Sequence, residues 1–581
     1  MLLAPLSTDA ATSSRCLQRG GRPEAGGSPM QRIPAPTGRP VTLASRGMVA
    51  TPHYLAAQAG VWALEQGGNA IDAAIAANAT LAVVYPHMAG LGGDAFLIVW
   101  HPGRPQPICL NGSGHSGYQA SIQFYLDRGH EAIPAHGPLA ANTVPGAVAA
   151  WGDAHTRWGR LPWEQLFTPA ITYAEGGFPV SSNLAMWLER ARPILERYPS
   201  SRQVFLPEGE PLRQGQVLLQ RDLAQTLRTI AEDGPKALYL GDIGLEIVRF
   251  LEEHGGALSF QDLKEHHSDW VDPLKVEYRG RSVYGFPPNS QGVAALFLLN
   301  LLEGFDMAGV VEGSAQYYHL LVEATKVTLA DLRGRIADPS YVTLPVEQLI
   351  SAEYAARRRA LILPQRARPL GEYASGVLLG EEFCPLAPVA PSATAYIATA
   401  DADGYAVSLV QSLHSEFGSG VVAGRTGILL HNAGAAFTLE PRDPNRLEPH
   451  KRPSEPLMPG LAFDGGSPWL IFGASGGEAQ LQTFAALATR MVDYGYNIQQ
   501  AIEAPRWLYT PGRTGEPELL SIEGRVPDSV LRQLREMGHD VRVTSDWTDA
   551  MGQAQGIVVD AEHGVFHGGA DPRGDGQALG W

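Results

Sequence analysis

Apolar residues at helical spacing form the first regular pattern along the chain. They recur every three or four positions and are Tyr54, Ala57, Val61 and Leu64. This period predicts a helix with one buried face. Thr51 and Pro52 precede it, and because threonine is a good N-cap and proline suits the first helical position, we expect the helix to begin there. The pair Gly67–Gly68 predicts its end.

A second helix, a glycine-rich turn and a strand are predicted next. The apolar stretch from Ala70 predicts a buried helix through Leu81, and it is shorter than the roughly 20 residues that a membrane span requires. The segment Gly90–Gly93 lacks the lysine and the spacing of a phosphate loop, so it predicts a tight turn into the strand Ala95–Trp100. From 146 to 368 the pattern is predominantly helical.

The clearest β pattern begins at Thr394. Residues with high β propensity lie on both sides of Asp403–Gly404, which is typical of a hairpin turn, and the returning strand reaches Ser412. Prolines between 387 and 391 disfavour a helix or a central strand before Thr394. Strands then continue to the end of the chain around one helix near Glu478–Tyr494. The pattern indicates mixed α and β structure without regular βαβ units.

Composition describes an ordinary globular protein and excludes several classes of function. The chain has 581 residues, of which 44% are hydrophobic and 18% charged, and a net charge of −16. The negative charge argues against nucleic-acid binding, which needs clustered Lys and Arg. Three cysteines, Cys16, Cys109 and Cys384, are too few and too scattered for a disulfide framework or a zinc site. We expect no metal, no nucleic acid and no membrane among its partners.

The first residues of the chain are expected to be disordered. Residues 1–40 are rich in Gly, Pro, Ser and Arg and have neither helical nor strand periodicity. Arg15, Arg19 and Arg22 follow a short apolar start, which reverses the order found in a secretory signal. This order favours a cytoplasmic protein. Met30 is an alternative start.

A threonine that opens a strand becomes a catalyst if the chain is cut before it. The hydroxyl of Thr394 would be the nucleophile, and its freed α-amino group, with a pKa of about 7.7–8.0, would be the base. Gly476 and Gly477 lie between the predicted strand Pro468–Phe472 and a helix from Glu478, where backbone N–H groups point at an anion. The alternative is that Thr394 only starts a strand.

Several separated blocks favour the catalytic interpretation. In chain order they are Gly47–Thr51, Gly67–Ala74, Pro86–Phe96, Asn142–Ala147, Pro287–Gly292, Thr394–Ser412, Phe417–Gly420, Lys451–Pro453, Gly473–Gly477 and Ala570–Arg573. With these blocks in order from about Arg46 to the end, the chain resembles the gamma-glutamyltranspeptidase family of N-terminal-nucleophile hydrolases. In that family, self-cleavage exposes the threonine that opens the strand before an Asp-x-Asp-Gly turn.

The resemblance implies a fold and two subunits from one precursor. The fold is α+β with four layers, αββα, in which helices cover two stacked sheets. Cleavage between Ala393 and Thr394 would separate a large subunit, residues 41–393, from a small subunit, residues 394–581. The two subunits would stay together, and a higher oligomer is left open. Because the family includes exported members, a periplasmic or secreted location is the alternative to the cytoplasm.

The resemblance also implies the catalytic residues. Thr394 would be the nucleophile, Ser412 would supply a second hydroxyl beside it, and Gly476 and Gly477 would donate to the oxyanion. No cofactor is implied. The partner is a small-molecule amide substrate.

The charged residues that hold a gamma-glutamyl head group in the family are missing here. No arginine lies between Arg104 and Arg128, where the family places the one that binds the α-carboxylate. Ala435 or Ala436 stands where an acidic residue should bind the α-ammonium. Because a buried unpaired charge is costly, we expect that this site does not favour glutathione.

Other polar residues stand at the head-group positions and are predicted to contact substrate. They are Asn111, Ser113, His414, Asn432 and Glu455. Glu455 could meet an ammonium, and Arg442 or a protonated His414 could meet a carboxylate. The lid segment between Phe437 and Lys451 is short, which favours hydrolysis over transfer because water can reach the acyl-enzyme.

These features predict a self-processing amidohydrolase of the gamma-glutamyltransferase family that is not specific for glutathione. One alternative is a true gamma-glutamyltransferase or glutathione hydrolase with substituted head-group residues. Another is an uncleaved, non-catalytic binding protein that keeps the fold.

A further alternative is a serine enzyme of the α/β-hydrolase type. The segment Gly473–Gly477 satisfies G-x-S-x-G with Ser475 as nucleophile, and Asp540 and His563 or His567 follow in the required order. Against it, the chain has no HGGG-type oxyanion loop and no run of βαβ units before the motif. These histidines and the pair His266–His267 also lack the spacing of a metal site.

Overall fold

The computed structural model describes residues 38–373, 393–512 and 517–581. Most of the segment 1–40 that we expect to be disordered, the alternative start Met30 and the prolines at 387–391 lie outside the described residues. Among the described residues, no helix has the length and apolar character needed to cross a bilayer.

The described strands are short to medium in length and fall into two large sheets and two small ones. In chain order they are β1 Thr42–Ala44, β2 Gly47–Thr51, β3 Asp94–Trp100, β4 Ile108–Gly112, β5 Phe178–Pro179, β6 Val217–Leu218, β7 Asp269–Val271, β8 Leu274–Tyr278, β9 Arg281–Gly285, β10 Ala393–Asp401, β11 Ala406–His414, β12 Gly460–Asp464, β13 Ser467–Ala474, β14 Trp507–Thr510, β15 Leu519–Glu523, β16 Val541–Thr544, β17 Ala554–Asp560, β18 Val565–Ala570 and β19 Gln577–Gly580.

The described helices cover the outer faces of the large sheets and form the region between β4 and β10. In chain order they are α1 Tyr54–Glu65, α2 Ala70–Val84, α3 Ile122–Leu126, α4 Ala147–Trp158, α5 Thr168–Gly176, α6 Ser182–Leu195, α7 Pro199–Phe205, α8 Arg221–Asp233, α9 Lys236–Tyr239, α10 Asp242–Glu253, α11 Phe260–Glu265, α12 Gly292–Glu303, α13 Ala315–Leu332, α14 Val346–Leu349, α15 Ala352–Arg359, α16 Ala479–Val492, α17 Ile498–Glu503 and α18 Asp528–Glu536.

Two antiparallel seven-stranded sheets form the centre of the fold. The first, which we call the nucleophile sheet, has the order β19-β2-β10-β11-β3-β4-β7, and the second sheet has the order β1-β18-β17-β13-β12-β9-β8. Aromatic and aliphatic side chains such as Tyr396, Phe96 and Ile471 fill the space between them. The predicted hairpin is confirmed: β10 and β11 pair around a turn that contains Gly404, whose φ of 88° suits glycine.

Helices pack on the outer face of each sheet, which confirms the four-layer αββα arrangement. Alanine-rich α1 and α2 share a core with the outer face of the nucleophile sheet. Residues of α12, α13, α16 and α17 share a second core with the outer face of the second sheet. Asn69 caps α2 in a capping box with Asp72, which satisfies backbone N–H groups that the helix leaves free.

One local expectation is corrected and another is confirmed. The first helix begins at Tyr54 with His53 as its N-cap, because Thr51 is the last residue of β2 and pairs with Gln577 of β19. The region from 146 to 368 is predominantly helical, as predicted. It also contributes β7 to the nucleophile sheet and β8 and β9 to the second sheet.

Candidate active site

Three polar side chains form a row across the nucleophile sheet at the start of β10. Thr394 is paired with Ser412 of β11, and Ser412 is paired with Asp94 of β3. Residues directly opposite one another in antiparallel strands share a face of the sheet. Two residues further along β10, Tyr396 faces the core between the sheets. The row therefore faces the same inter-sheet space.

The bond before Thr394 is already in contact with Ser412. The Ser412 hydroxyl donates a hydrogen bond of 2.5 Å to the carbonyl oxygen of Ala393. The backbone N–H of His414 donates to the same hydroxyl at 2.7 Å, which directs the serine proton towards Ala393. A donor at this oxygen stabilises the negative charge that would develop there if Thr394 attacked the Ala393 carbonyl.

We expect the Ser412→Ala variant to be cleaved about 10²–10³-fold more slowly than the wild type, because removing one oxyanion donor has a cost of that size. The measurement is the half-life of the full-length chain on a denaturing gel after expression. Ser412→Thr is the matched control, since it keeps the hydroxyl, and it should be cleaved at close to the wild-type rate. Equal rates for the alanine and threonine variants would contradict this role.

The predicted oxyanion glycines lie in the loop between β13 and α16. Their φ angles are 109° for Gly476 and 57° for Gly477, in the left-handed region that favours glycine. The strand that leads into this loop contacts β10: a Cβ on Gly473 would lie 2.4 Å from the ring of Tyr396. The role of the two glycines as oxyanion donors remains a prediction.

Ser475 in the same loop has a structural role. Its hydroxyl accepts a hydrogen bond from the backbone N–H of Gln553 at 3.0 Å, and its own N–H donates to the Gln553 carbonyl at 2.8 Å. Its strand, β13, is antiparallel to both neighbours, whereas a nucleophile elbow belongs to the mostly parallel sheet of an α/β-hydrolase. His563 is an exposed residue bonded to Asp560. The serine-elbow interpretation is therefore wrong.

Asp94 and His431 form a buried ion pair beside Ser412. The His431 Nδ1 lies 3.3 Å from Asp94 Oδ2, and both side chains are 1% exposed. Burial alone would lower the pKa of His431, but Asp94 and the Thr143 carbonyl outweigh it, so the pKa is raised. The other Asp94 oxygen accepts from the N–H groups of Gly114 and Gly146. The sequence analysis singled out neither member of this pair.

A hydrogen-bonded network connects three predicted binding residues. The Asn111 side-chain amide donates to Asn289 Oδ1 at 2.8 Å, and the Ser113 hydroxyl donates to Asn111 Oδ1 at 2.7 Å. The N–H of Glu455 donates to the Asn289 carbonyl at 3.0 Å. Asn289 is thus the centre of the network, and Asn111, Ser113 and Glu455 are brought together around it.

Glu455 places a carboxyl group in this network without a hydrogen-bond partner among the described residues. Its side chain is 1% exposed, and neither carboxyl oxygen has a partner there. Burial, with a smaller contribution from Asp94, raises the pKa of Glu455 well above its usual value. Burial therefore favours the protonated form of Glu455, which could donate a hydrogen bond or ionise beside a cation.

Neither residue that the sequence suggested as a cation for a substrate carboxylate is a buried cation in the structure. The Arg442 side chain is 83% exposed and lies near Glu440 on the surface. Burial, with a contribution from His431, lowers the pKa of His414 to about 4, so His414 is neutral at pH 7. Arg452 is buried, but it donates to the Ser113 carbonyl at 3.0 Å and pairs with Asp269.

Asn432 is occupied by contacts within the protein. Its side-chain amide donates to the Ala135 carbonyl at 2.7 Å and to the Ser415 hydroxyl at 3.1 Å. Its side-chain oxygen accepts from the Ser415 N–H. Asn432 therefore fixes the loop after β11, and a direct contact with substrate remains a prediction.

Comparisons with known proteins agree with this architecture. The family model of gamma-glutamyltranspeptidase matches residues 56–581. The chain is 43% identical to the glutathione hydrolase-like YwrD proenzyme of Bacillus subtilis, over 93% of this chain and 99% of that protein. It is 36% identical to the oxamate amidohydrolase proenzyme of Klebsiella pneumoniae, over 93% of this chain and 99% of that protein.

A solved structure agrees as well. Cephalosporin acylase from Bacillus halodurans superposes with a TM-score of 0.86 and 36% identity, over 95% of this chain and 98% of that one. The matches extend over nearly the whole chain, and the family model includes Thr394 and β10. The chain belongs to the gamma-glutamyltranspeptidase family.

Proposed function

We propose that this chain is a precursor that cleaves itself between Ala393 and Thr394 and then hydrolyses an amide bond with Thr394 as its nucleophile. The observation that carries the proposal is the hydrogen bond from Ser412 to the Ala393 carbonyl, directly before the threonine. Relatives named as proenzymes support it.

The cleavage proceeds in two steps. The Thr394 oxygen attacks the Ala393 carbonyl carbon, the bond between that carbon and the Thr394 nitrogen breaks, and the nitrogen takes the proton to become an amine. Water then hydrolyses the ester between Ala393 and the Thr394 oxygen. This gives a carboxylate at Ala393 and frees the threonine hydroxyl.

Turnover of substrate uses the same hydroxyl. The new α-amino group, with an unperturbed pKa of about 7.7–8.0, accepts the hydroxyl proton as the oxygen attacks the substrate amide. The amine leaves with a proton, and water hydrolyses the acyl-enzyme. The Gly476–Gly477 loop supplies backbone N–H groups to the oxyanion in this proposal.

The substrate is an amide whose acyl group lacks the gamma-glutamyl zwitterion. Two acids of the site are buried, Asp94 in the row and Glu455 near it, and the buried Arg452 already has partners. A substrate α-carboxylate would enter without a matching cation, which is costly in a buried site. Relatives named as an oxamate amidohydrolase and a cephalosporin acylase support amide hydrolysis beyond glutathione.

Hydrolysis is the proposed outcome because the segment between Phe437 and Lys451 is short and packs against the protein, so water can reach the acyl-enzyme. The Lys451 ammonium donates to the Pro444 carbonyl at 2.7 Å and to the Arg446 carbonyl at 3.0 Å, which holds this segment close to the body of the protein. The mature protein would keep residues 41–393 and 394–581 together as two subunits. We also propose a cytoplasmic location.

The test is a denaturing gel and mass spectrometry of the purified protein. The proposal expects two bands, near two thirds and one third of 62.3 kDa, and a small fragment whose first residue is Thr394. A single full-length band after long incubation, with no amidase activity, would instead support the uncleaved binding protein.

A further inference from the structure

Two histidines and a glutamate form a buried cluster away from the nucleophile row. His319 and Glu323 lie one turn apart on one face of α13, and His539 follows α18. Their side chains are 0%, 0% and 6% exposed. Each residue offers one ligand atom, and these three atoms lie within 4.8 Å of one another.

The tautomer of His319 is fixed by its surroundings. Its Nε2 lies 2.8 Å from the carbonyl oxygen of Leu363, and because a carbonyl only accepts, this nitrogen carries the proton. The Nδ1 lone pair then faces His539 Nε2 at 2.9 Å, which donates to it. A metal-bound histidine is oriented in the same way, by a backbone carbonyl that accepts from its other nitrogen.

Both imidazoles are neutral. Burial lowers the pKa of His319, and burial with the nearby Lys326 lowers the pKa of His539 to about 3. Metal ligation requires an imidazole nitrogen with a free lone pair, which His319 presents on Nδ1 because its Nε2 donates to the Leu363 carbonyl. His539 needs only to move its proton from Nε2 to Nδ1.

Glu323 is oriented by its second oxygen. Its Oε2 accepts hydrogen bonds from the N–H of Arg368, at 3.0 Å, and from the Tyr373 hydroxyl. The Oε1 lies 2.9 Å from the ammonium of Lys326, which also lies 3.5 Å from Glu518 Oε2. Lys326 is the group that an incoming cation would displace from Glu323, and Glu518 remains as its partner.

A cavity gives access to the cluster. Its volume is about 370 Å³, and its lining includes Lys326, Glu518, Tyr509 and His539. This space admits water molecules as additional ligands and allows Lys326 to move towards Glu518. An aqueous route also lets the His539 proton change nitrogen.

We propose that His319 Nδ1, Glu323 Oε1 and His539 Nε2 bind a divalent transition-metal ion, with Zn²⁺ as the best match. Two imidazoles and one carboxylate are a ligand set that zinc uses, with water in the fourth position. Calcium and magnesium prefer oxygen ligands and fit poorly. The sequence analysis expected no metal and did not consider His539, which is 216 positions from Glu323 in the chain.

The ion would link two parts of the molecule. His319 and Glu323 precede the proposed cleavage site and His539 follows it, so the metal would join the large and small subunits after cleavage. This consequence rests on the proposed function, whereas the metal site itself does not.

The test is a zinc titration by calorimetry on the full chain after treatment with a chelator. We expect one Zn²⁺ per chain with a Kd of micromolar or below and a rise in Tm on binding, together with weak or no response to Mg²⁺. His539→Gln, which keeps the side chain polar and of similar size, should weaken Zn²⁺ binding at least tenfold. His563→Gln alters an exposed histidine and is the matched control, with unchanged binding expected.

The Lys326→Met variant distinguishes Zn²⁺ binding at the buried cluster from nonspecific Zn²⁺ binding at the surface. Removing the competing ammonium should lower the Tm of the metal-free protein and tighten Zn²⁺ binding, since Lys326 no longer neutralises Glu323. Binding that is equal in the wild type, His539→Gln and Lys326→Met would overturn the proposal, as would no binding in the wild type. If His539→Gln fails to fold, Lys326→Met and the visible absorption of Co²⁺ bound to the wild type test the site instead. A Co²⁺ spectrum without the bands of tetrahedral coordination would overturn the proposal.

The same titration on Thr394→Ala keeps this proposal distinct from the proposed function. An uncleaved chain that binds Zn²⁺ would uphold the metal site even if processing failed. A cleaved wild-type protein that does not bind Zn²⁺ would overturn the metal site and leave the processing intact.

Discussion

The Thr394→Ala variant should accumulate as one full-length chain without amidase activity. It lacks the oxygen that attacks Ala393, so the α-amino base is never freed, and both cleavage and turnover are lost together. Removing the nucleophile of a serine hydrolase lowers kcat by about 10⁶-fold, and a loss of that order is expected here. A denaturing gel and an anilide hydrolysis assay measure the two effects.

Two variants serve as controls for this prediction. Thr394→Ser keeps a hydroxyl and should be cleaved, although more slowly. Ser475→Ala should be cleaved and active, because the hydrogen bonds of the Ser475 hydroxyl are made with the backbone of Gln553 and serve a structural role. Amidase activity that survives in Thr394→Ala and disappears in Ser475→Ala would contradict the assignment of the nucleophile.

The hairpin at the site could be predicted from the sequence because its signals are local. Asp403–Gly404 determines the turn, and the turn with its flanking strands determines that Thr394 is paired with Ser412. The stacking of two sheets could not be predicted from these patterns, since strands that are distant in the chain make it. The four layers came from the resemblance to the family.

Other features depended on contacts that no local pattern reveals. Thr51 has the residue type of an N-cap, but pairing with Gln577 near the end of the chain extends β2 to include it. The strands β8 and β9 are five residues each, inside a mainly helical region, and they are recognised by their pairing with each other and with β12. Tertiary pairing decided these elements over local propensity.

The electrostatics of the site could be predicted least. Asp94 lies in the block Pro86–Phe96, whereas His431 lies in none of the blocks; 337 positions separate the two residues, and their pairing is visible only in the fold. Arg442 was a candidate cation because of its charge alone, and the fold places it on the surface. Burial decides which charges act in a site, and burial is a property of the tertiary structure.

The second large effect concerns substrate choice. The mature enzyme should hydrolyse gamma-glutamyl-p-nitroanilide with a kcat/KM about 10²–10⁴ lower than that for an acyl anilide without the α-ammonium and α-carboxylate. Each charge-assisted hydrogen bond to the head group contributes about 1.5–3 kcal/mol, and 1.4 kcal/mol is a factor of ten. The carboxylate has no cation, because His414 is neutral and Arg442 is exposed, and Ala435 or Ala436 stands where an acid would bind the ammonium.

Glu455 is the residue that could reverse this preference. Its buried carboxyl group, without a hydrogen-bond partner among the described residues, could ionise beside a substrate ammonium. If so, Glu455→Gln would lower kcat/KM for the gamma-glutamyl substrate alone, and both substrates would be compared on the same preparation. Glu440→Gln, at an exposed acid, is the matched control and should change neither. Efficient gamma-glutamyl hydrolysis that is lost in Glu455→Gln would show that a new acidic contact replaces the missing one, and the proposed substrate class would then be wrong.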